Sequence, residues 1–268
     1  MSNSNRVLMT VNDDGIAEVR LNRPDKLNAL DMQMFQAITA TIKQIKRDKR
    51  IRVVILSGQG DDFCSGLDVK SVMSSGSSAL KLLFKWWPGN ANLAQKVSSH
   101  WRKLPVPVIA AIHGRCWGGG TQIALGADFR IASPNADISI MEAKWGLIPD
   151  MAGNKPLSQI MPLDQALKLA MTAEQISGED AKQLGLVTEV KDDPLQSAYE
   201  LANTLLQTSP DVLAAVKKLY VHNWHKNESS LLSKESRYQV KVLSGKNQRI
   251  ATKKAMGKTA EFVARKNW

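Results

Sequence analysis

Three consecutive glycines, Gly118, Gly119 and Gly120, stand where this 268-residue chain is best equipped to do chemistry. They follow an apolar run at 106–112 that reads as a buried strand, and they lead into TQIALGAD, which has helical rather than alternating character. At such a strand–turn–helix junction the first backbone N–H groups have no intrahelical acceptor. Glycine lets a ligand approach the main chain and permits positive φ, and the helix dipole adds partial positive charge. The chemistry this arrangement serves is the stabilisation of a developing oxyanion by main-chain N–H donors. The same triplet also fits a tight turn with close packing. A second junction of chain and glycine at a strand end is Phe63-Cys64-Ser65-Gly66-Leu67-Asp68. Asp68 and Asp128 accompany the two glycine segments and are expected to brace turns or cap helices. Cys64 and Cys116, the only cysteines, supply no disulfide framework and no four-ligand metal spacing. The four histidines form no HExxH pattern, and His222 and His225 read as surface residues, so no metal site is expected.

The surrounding elements that must position these junctions follow from periodicity. Residues 6–12 and 16–22 alternate around Asp13-Asp14-Gly15, a β-hairpin pattern. Asp31 reads as the N-cap of an amphipathic helix with Met34, Phe35, Ile38, Ile42 and Ile45 on one face. Residues 51–56 form a short buried strand. Residues 69–90, two serine-rich pieces followed by Phe84-Lys85-Trp86-Trp87-Pro88-Gly89, are expected to be a long, partly mobile loop with an apolar tip: a lid, or an insertion packed by its own aromatics. A helix is expected over 92–104, and short strands at 129–133 and 138–141. Beyond Gly153 helices dominate, at 162–171, 178–184, 194–208 and 210–224, with 186–190 strand-like and 248–268 a basic amphipathic helix. The pattern is an α/β core followed by a helical layer, divided here into residues 1–200 and 201–268.

Composition narrows the class. The chain is 43% hydrophobic and 23% charged, the balance of a soluble globular protein. No apolar run reaches the roughly 20 residues of a membrane span, and the first residues resemble neither a signal nor a transit peptide. A cytoplasmic protein is expected. The net charge of +11 favours polyanions: nucleic acid, acidic lipid surfaces, or small ligands carrying several phosphates. The basic run at 43–52 reads as a solvated helix face without an interleaved aromatic platform, so nucleic acid is not the expected main partner.

Four landmarks, RPDKLNAL at 23–30, FCSGLD at 63–68, HGRCWGGGTQIALGADFRIAS at 113–133 and MEAKWGLIPD at 141–150, resemble the crotonase superfamily of enoyl-CoA hydratases and isomerases in order and spacing. The resemblance covers essentially the whole chain. It implies a ββα spiral core with a helical C-terminal trimerisation region, assembled as a trimer or as a hexamer of two trimers. It also implies a coenzyme A thioester as substrate, with no separate cofactor. By the same resemblance the oxyanion donors are the backbone N–H groups of Leu67 and Gly119. Lys26, Leu27 and Ala29 lie along the CoA entrance, with Lys26 or Arg23 near phosphate, and Cys64, Leu67 and Val69 line the adenine and pantetheine path. Ser65, Gly66, Asp68, Gly118 and Gln122 complete the substrate-binding set, and Trp117 and Trp145 wall the acyl pocket or the core.

The reaction turns on three positions. Hydratases of the family hold water with two glutamates, and the first of these positions is Gln122, which cannot exchange a proton at neutral pH. The second is filled by Glu142. One carboxylate suffices to move a proton across an allyl system, from C2 to C4 of a 3-enoyl thioester. Asp150 stands where dienoyl-CoA isomerases carry an aspartate; its alternative role is to cap a helix starting near Met151. The expected activity is therefore a double-bond shift in an enoyl- or dienoyl-CoA. The alternatives are hydration with a single glutamate, or an RNA-binding or catalytically silent homologue.

Overall fold

The computed structural model describes residues 5–73 and 76–268. Its organising element is a six-stranded sheet, in spatial order β1 (Val7–Val11), β2 (Ile16–Leu21), β3 (Val53–Gly58), β4 (Val108–Ile112), β6 (Phe129–Ala132) and β8 (Glu189–Val190). The β1–β2 hairpin is antiparallel and turns at Gly15, whose φ is +86°; every other pairing in the sheet is parallel. A second sheet pairs β5 (Arg115–Trp117) with β7 (Asp137–Ser139) in parallel, and a bridge from Cys64 to Cys116 adds the 63–65 segment to it. The chain thus passes repeatedly from the large sheet to the small one and back, which is the expected ββα spiral. Among the described residues, no helix is long and apolar enough to cross a membrane.

Strand alternation distributes the core. Val53 and Ile55 of β3 and Ile109 and Ala111 of β4 point to one face, where Ala198, Ala202 and Leu206 of α9 (Pro194–Leu206) cover them. Their neighbours Val54, Leu56, Val108, Ala110 and Ile112 point to the other face, into the main core with α1 (Met32–Arg47) and α4 (Leu93–Arg102). Asp31 caps α1 as expected, accepting from the Met34 N–H at 2.7 Å. Asn92 and Gln95 close a reciprocal capping box on α4. The boundary expected at residue 200 falls within α9, which shares one core with the sheet.

Two other expectations are corrected. Residues 69–90 are not simply a loop: α2 (Val69–Met73) and α3 (Gly76–Leu83) occupy its first part, with Ser74 and Ser75 outside the described residues. The serine-rich composition concealed helices whose apolar residues turn inward at Val72 and Leu82. The apolar tip, Phe84 to Trp87, is present and exposed rather than packed on itself. The tail is helical only through α12 (Lys246–Ala255) and breaks at Gly257, whose φ is +78°. Beyond it an irregular segment folds back, held by Asp211, which accepts from Lys266 N, Trp268 Nε1 and Asn247 Nδ2.

Between the sheet and the tail lie α5 (Gly119–Ala124), α6 (Asn154–Ile160), α7 (Leu163–Thr172), α8 (Gly178–Gln183), α10 (Pro210–Asn223) and α11 (Glu228–Leu243). Lys217 of α10 is buried, pairs with Asp128 at 2.7 Å and donates to the carbonyls of Trp101 and Val106. One ammonium therefore pins the helical layer to the core.

Candidate active site

The two glycine segments are stitched together by their backbones. Cys64 N donates to Arg115 O and Trp117 N to Cys64 O, both at 2.9 Å, while Leu30 N donates to Gly66 O at 2.8 Å and Asp68 N to Leu30 O at 3.1 Å. Gly66 has φ +89°, and a Cβ there would lie 2.7 Å from Trp117 O and 3.3 Å from Gly119 N, so only glycine allows this approach. Gly120 is under similar pressure, since a Cβ would meet Cys64 O at 2.3 Å. Gly118 donates to Ser139 O at 2.9 Å, and the α5 ladder begins with Gln122 N to Gly118 O. Among the described residues, neither Leu67 N–H nor Gly119 N–H meets a protein acceptor. Both line the same cavity. They are two free donors on adjacent segments.

Facing them is Glu142, the first residue of a 3₁₀ turn that ends at Gly146, φ +68°. Gln122, 1% exposed, fixes it. The Gln122 Oε1 accepts from Met151 N at 2.9 Å and Gly153 N at 3.2 Å, which leaves its Nε2 to donate to Glu142 Oε1 at 2.5 Å. The two backbone donors settle which way the amide points. Glu142 Oε2 is buried and has no hydrogen-bond partner among the described residues. Burial pushes the Glu142 carboxyl above its ordinary range, and the nearby Asp150 charge adds to this; the Gln122 bond opposes both. The carboxylate lies beside the glycine turn, for a Cβ on Gly118 would be 3.5 Å from Glu142 Oε1.

Asp150 also lines the cavity, and burial raises its carboxyl. It caps nothing. The next helix, α6, starts only at Asn154 with Gly153 as its N-cap and no side-chain cap bond, so the capping alternative is overturned.

The cavity encloses about 480 Å³. Of the residues singled out from sequence, Leu67, Gly119, Glu142 and Asp150 all border it. So do Leu27, Ser65, Gly66 and Val69 on one side, and Trp117, Gly118 and Trp145 on the other. A groove of about 600 Å³ shares Leu67, Val69 and Trp145 with it and adds Lys26, Ala29, Asp68 and Lys70. The two are therefore contiguous, an apolar chamber leading to a basic mouth.

Four expected contacts are placed elsewhere. The Arg23 guanidinium is held by Asp68 at 2.8 Å, Asp31 at 3.7 Å and Ala29 O at 3.1 Å, so it braces the groove and leaves its open positive charge to Lys26 and Lys70. Asp68 binds Arg23 and caps α2 through Ser71 N at 3.0 Å, the bracing role read from sequence, so its carboxylate is not a free substrate contact. Cys64 is fully buried, with Sγ donating to Asn28 O at 3.2 Å, and it lies beneath the site rather than along a ligand path. Gln122 likewise sits behind Glu142, outside the cavity wall. Sequence reasoning missed the apolar residues Val72, Leu82, Leu83, Leu147, Ile148 and Met151 that give the chamber its character.

Two free N–H groups opposite a raised, partly unpartnered carboxylate can polarise a carbonyl and move a proton on the adjacent carbon. The sequence matches the family described as Enoyl-CoA hydratase/isomerase over residues 12–264. The chain belongs to the enoyl-CoA hydratase/isomerase family. Relatives of this crotonase superfamily include a carnitinyl-CoA dehydratase of Salmonella typhi, 34% identical over 209 residues covering 76% of each protein. The enoyl-CoA hydratase of Polaromonas sp. JS666 superposes with TM-score 0.85 at 25% identity, covering 96% of this chain and 99% of that one. That of Bacillus anthracis superposes with TM-score 0.86 at 24% identity, which speaks for the fold alone. The family assignment and the spiral fold agree with the resemblance read from the four landmarks.

Proposed function

We propose that this member of the enoyl-CoA hydratase/isomerase family shifts the double bond of an enoyl- or dienoyl-CoA. The observation that carries the reading is the Gln122–Glu142 pair: one carboxylate oxygen occupied by a fixed amide donor, the other buried and unpartnered. The thioester carbonyl binds between the N–H groups of Leu67 and Gly119. Glu142 Oε2 takes a proton from C2 of a 3-enoyl thioester, and the C–H electron pair moves into an enolate whose oxygen the two donors stabilise. Losing one such donor typically costs about 10² to 10³ in rate. Glu142 then returns that proton to the conjugated dienolate at C4, and the double bond ends between C2 and C3. With a 3,5-dienoyl substrate, Asp150 delivers the proton at C6. Lys26, at the basic mouth, meets phosphate of CoA.

Gln122 supports isomerisation over hydration because its oxygen is committed to two backbone donors and its nitrogen to Glu142, behind the cavity wall. It is not placed to hold water for attack at C3. The test compares a 2-enoyl-CoA, a 3-enoyl-CoA and a 3,5-dienoyl-CoA side by side. Conversion of either of the last two, with little hydration of the first, is the expected outcome. Efficient hydration would overturn it and mean that Glu142 activates water unaided. Glu142→Gln is expected to abolish turnover; if it left every acyl-CoA turning over at the original rate, the proposal would fall.

A further inference from the structure

From residue 69 to residue 127 the chain contains no aspartate or glutamate and seven lysines and arginines. Within that stretch, α3 runs into the sequence LKLLFKWWP at 80–88. Leu80, Leu83, Phe84, Trp86 and Trp87 are exposed, Trp86 to 88% and Trp87 to 69%, far beyond what a folded monomer leaves two indoles to show water. Lys81 and Lys85 interleave with them, both exposed, and neither pairs with a carboxylate among the described residues. Leu82 alone turns inward, and with Leu83 it lines the cavity.

This combination has a specific physical fit. Indole rings partition to the headgroup level of a bilayer, with the apolar body in the acyl boundary and the N–H towards water. Lysines beside them extend their stems along apolar surface and place the ammonium among anionic headgroups. A segment whose only charges are Lys81 and Lys85, within a 69–127 stretch that has no carboxylate and on a chain of net charge +11, is complementary in sign to an anionic surface. We propose that residues 80–88 form an interfacial anchor that docks the protein peripherally on an anionic lipid bilayer. The docking is independent of which acyl-CoA reaction the site performs. It involves no spanning segment, so it agrees with the absence of a transmembrane helix among the described residues.

The test is co-sedimentation of the full chain with vesicles of phosphatidylcholine alone and of phosphatidylcholine with about one-third phosphatidylglycerol. The expected bound fraction is roughly tenfold higher on the anionic vesicles, falling as salt is raised. Trp86→Ser/Trp87→Ser and, separately, Lys81→Glu/Lys85→Glu are each expected to reduce it to the level on neutral vesicles while the melting curve by circular dichroism is retained. Protein that stays in the supernatant with anionic vesicles would overturn the proposal, as would a tryptophan double variant that binds as the parent does. So would loss of subunits from that variant in vesicle-free sedimentation velocity, which would mark the patch as a contact between copies of the chain.

Discussion

At the scale of single residues, the site is a carboxylate whose freedom is set by an amide. Because Glu142 is raised mainly by burial, it must lose its proton before it can act as a base, and turnover is expected to rise with pH through a value above the ordinary glutamate range. Gln122→Glu would set a second carboxylate against the first, so the same rising limb is expected to move to higher pH; a profile unchanged in position would show that the two side chains do not communicate. The raised carboxyls also bear on stability. A group that holds its proton more tightly folded than unfolded favours the fold below its unfolded pKa, and that contribution is lost as pH rises through the folded pKa. Glu142→Gln and Asp150→Asn are therefore expected to raise Tm relative to the parent, with a gap that widens from pH 4 to pH 8 in thermal melts. Sequence alone made Glu142 visible because of the motif around it. It could not show what Gln122 does, because that role depends on the N–H groups of Met151 and Gly153, about 30 positions away.

At the scale of elements, the two glycine segments work as one because their backbones are hydrogen-bonded to each other. Gly66→Ala would place a Cβ against Trp117 O at a positive φ, twisting Leu67 N–H away from its neighbour. The expected result is a loss of about 10² to 10³ in kcat/KM, measured by steady-state kinetics on the substrate that the three-way comparison identifies. These junctions were legible from sequence, since a backbone that must approach another backbone needs glycine, and glycine is visible in a string of letters. The hairpin, the Asp31 cap and the short buried strands were legible for the same kind of local reason. The helices α2 and α3 were not, because serine and glycine mask helical spacing in so short a run, and the pressure that makes them helical comes from the core at Val72 and Leu82. Asp150 was ambiguous because a carboxylate after a proline reads equally as a cap until the start of the following helix is known to be Asn154.

At the scale of the whole molecule, the helical layer and the spiral meet at Lys217. Burial lowers its ammonium pKa while Asp128 opposes the shift. Lys217→Ala would leave Asp128 and two carbonyls without their buried partner, and a loss of about 3–5 kcal/mol is expected in urea unfolding. The outward apolar residues of α7, of α10 and of its C-cap, among them Leu163, Met171, Tyr220 and Trp224, support a proposal that the protein assembles as a trimer or as a hexamer of two trimers, which light scattering would read as three or six times the 29.5 kDa chain. The composition of the molecule has one more consequence. A pocket that draws electrons from a thioester makes that thioester attractive to every nucleophile within reach, thiols above all. This chain's two thiols are both fully buried, one of them beneath the glycine turn, and burial pushes Cys64 up to about 12 and Cys116 higher still. Both remain protonated and sealed off, so the acyl group stays on its carrier. Intact-mass measurement after incubation with acyl-CoA is expected to show no acyl adduct: the fold protects the enzyme from being acylated by its own substrate.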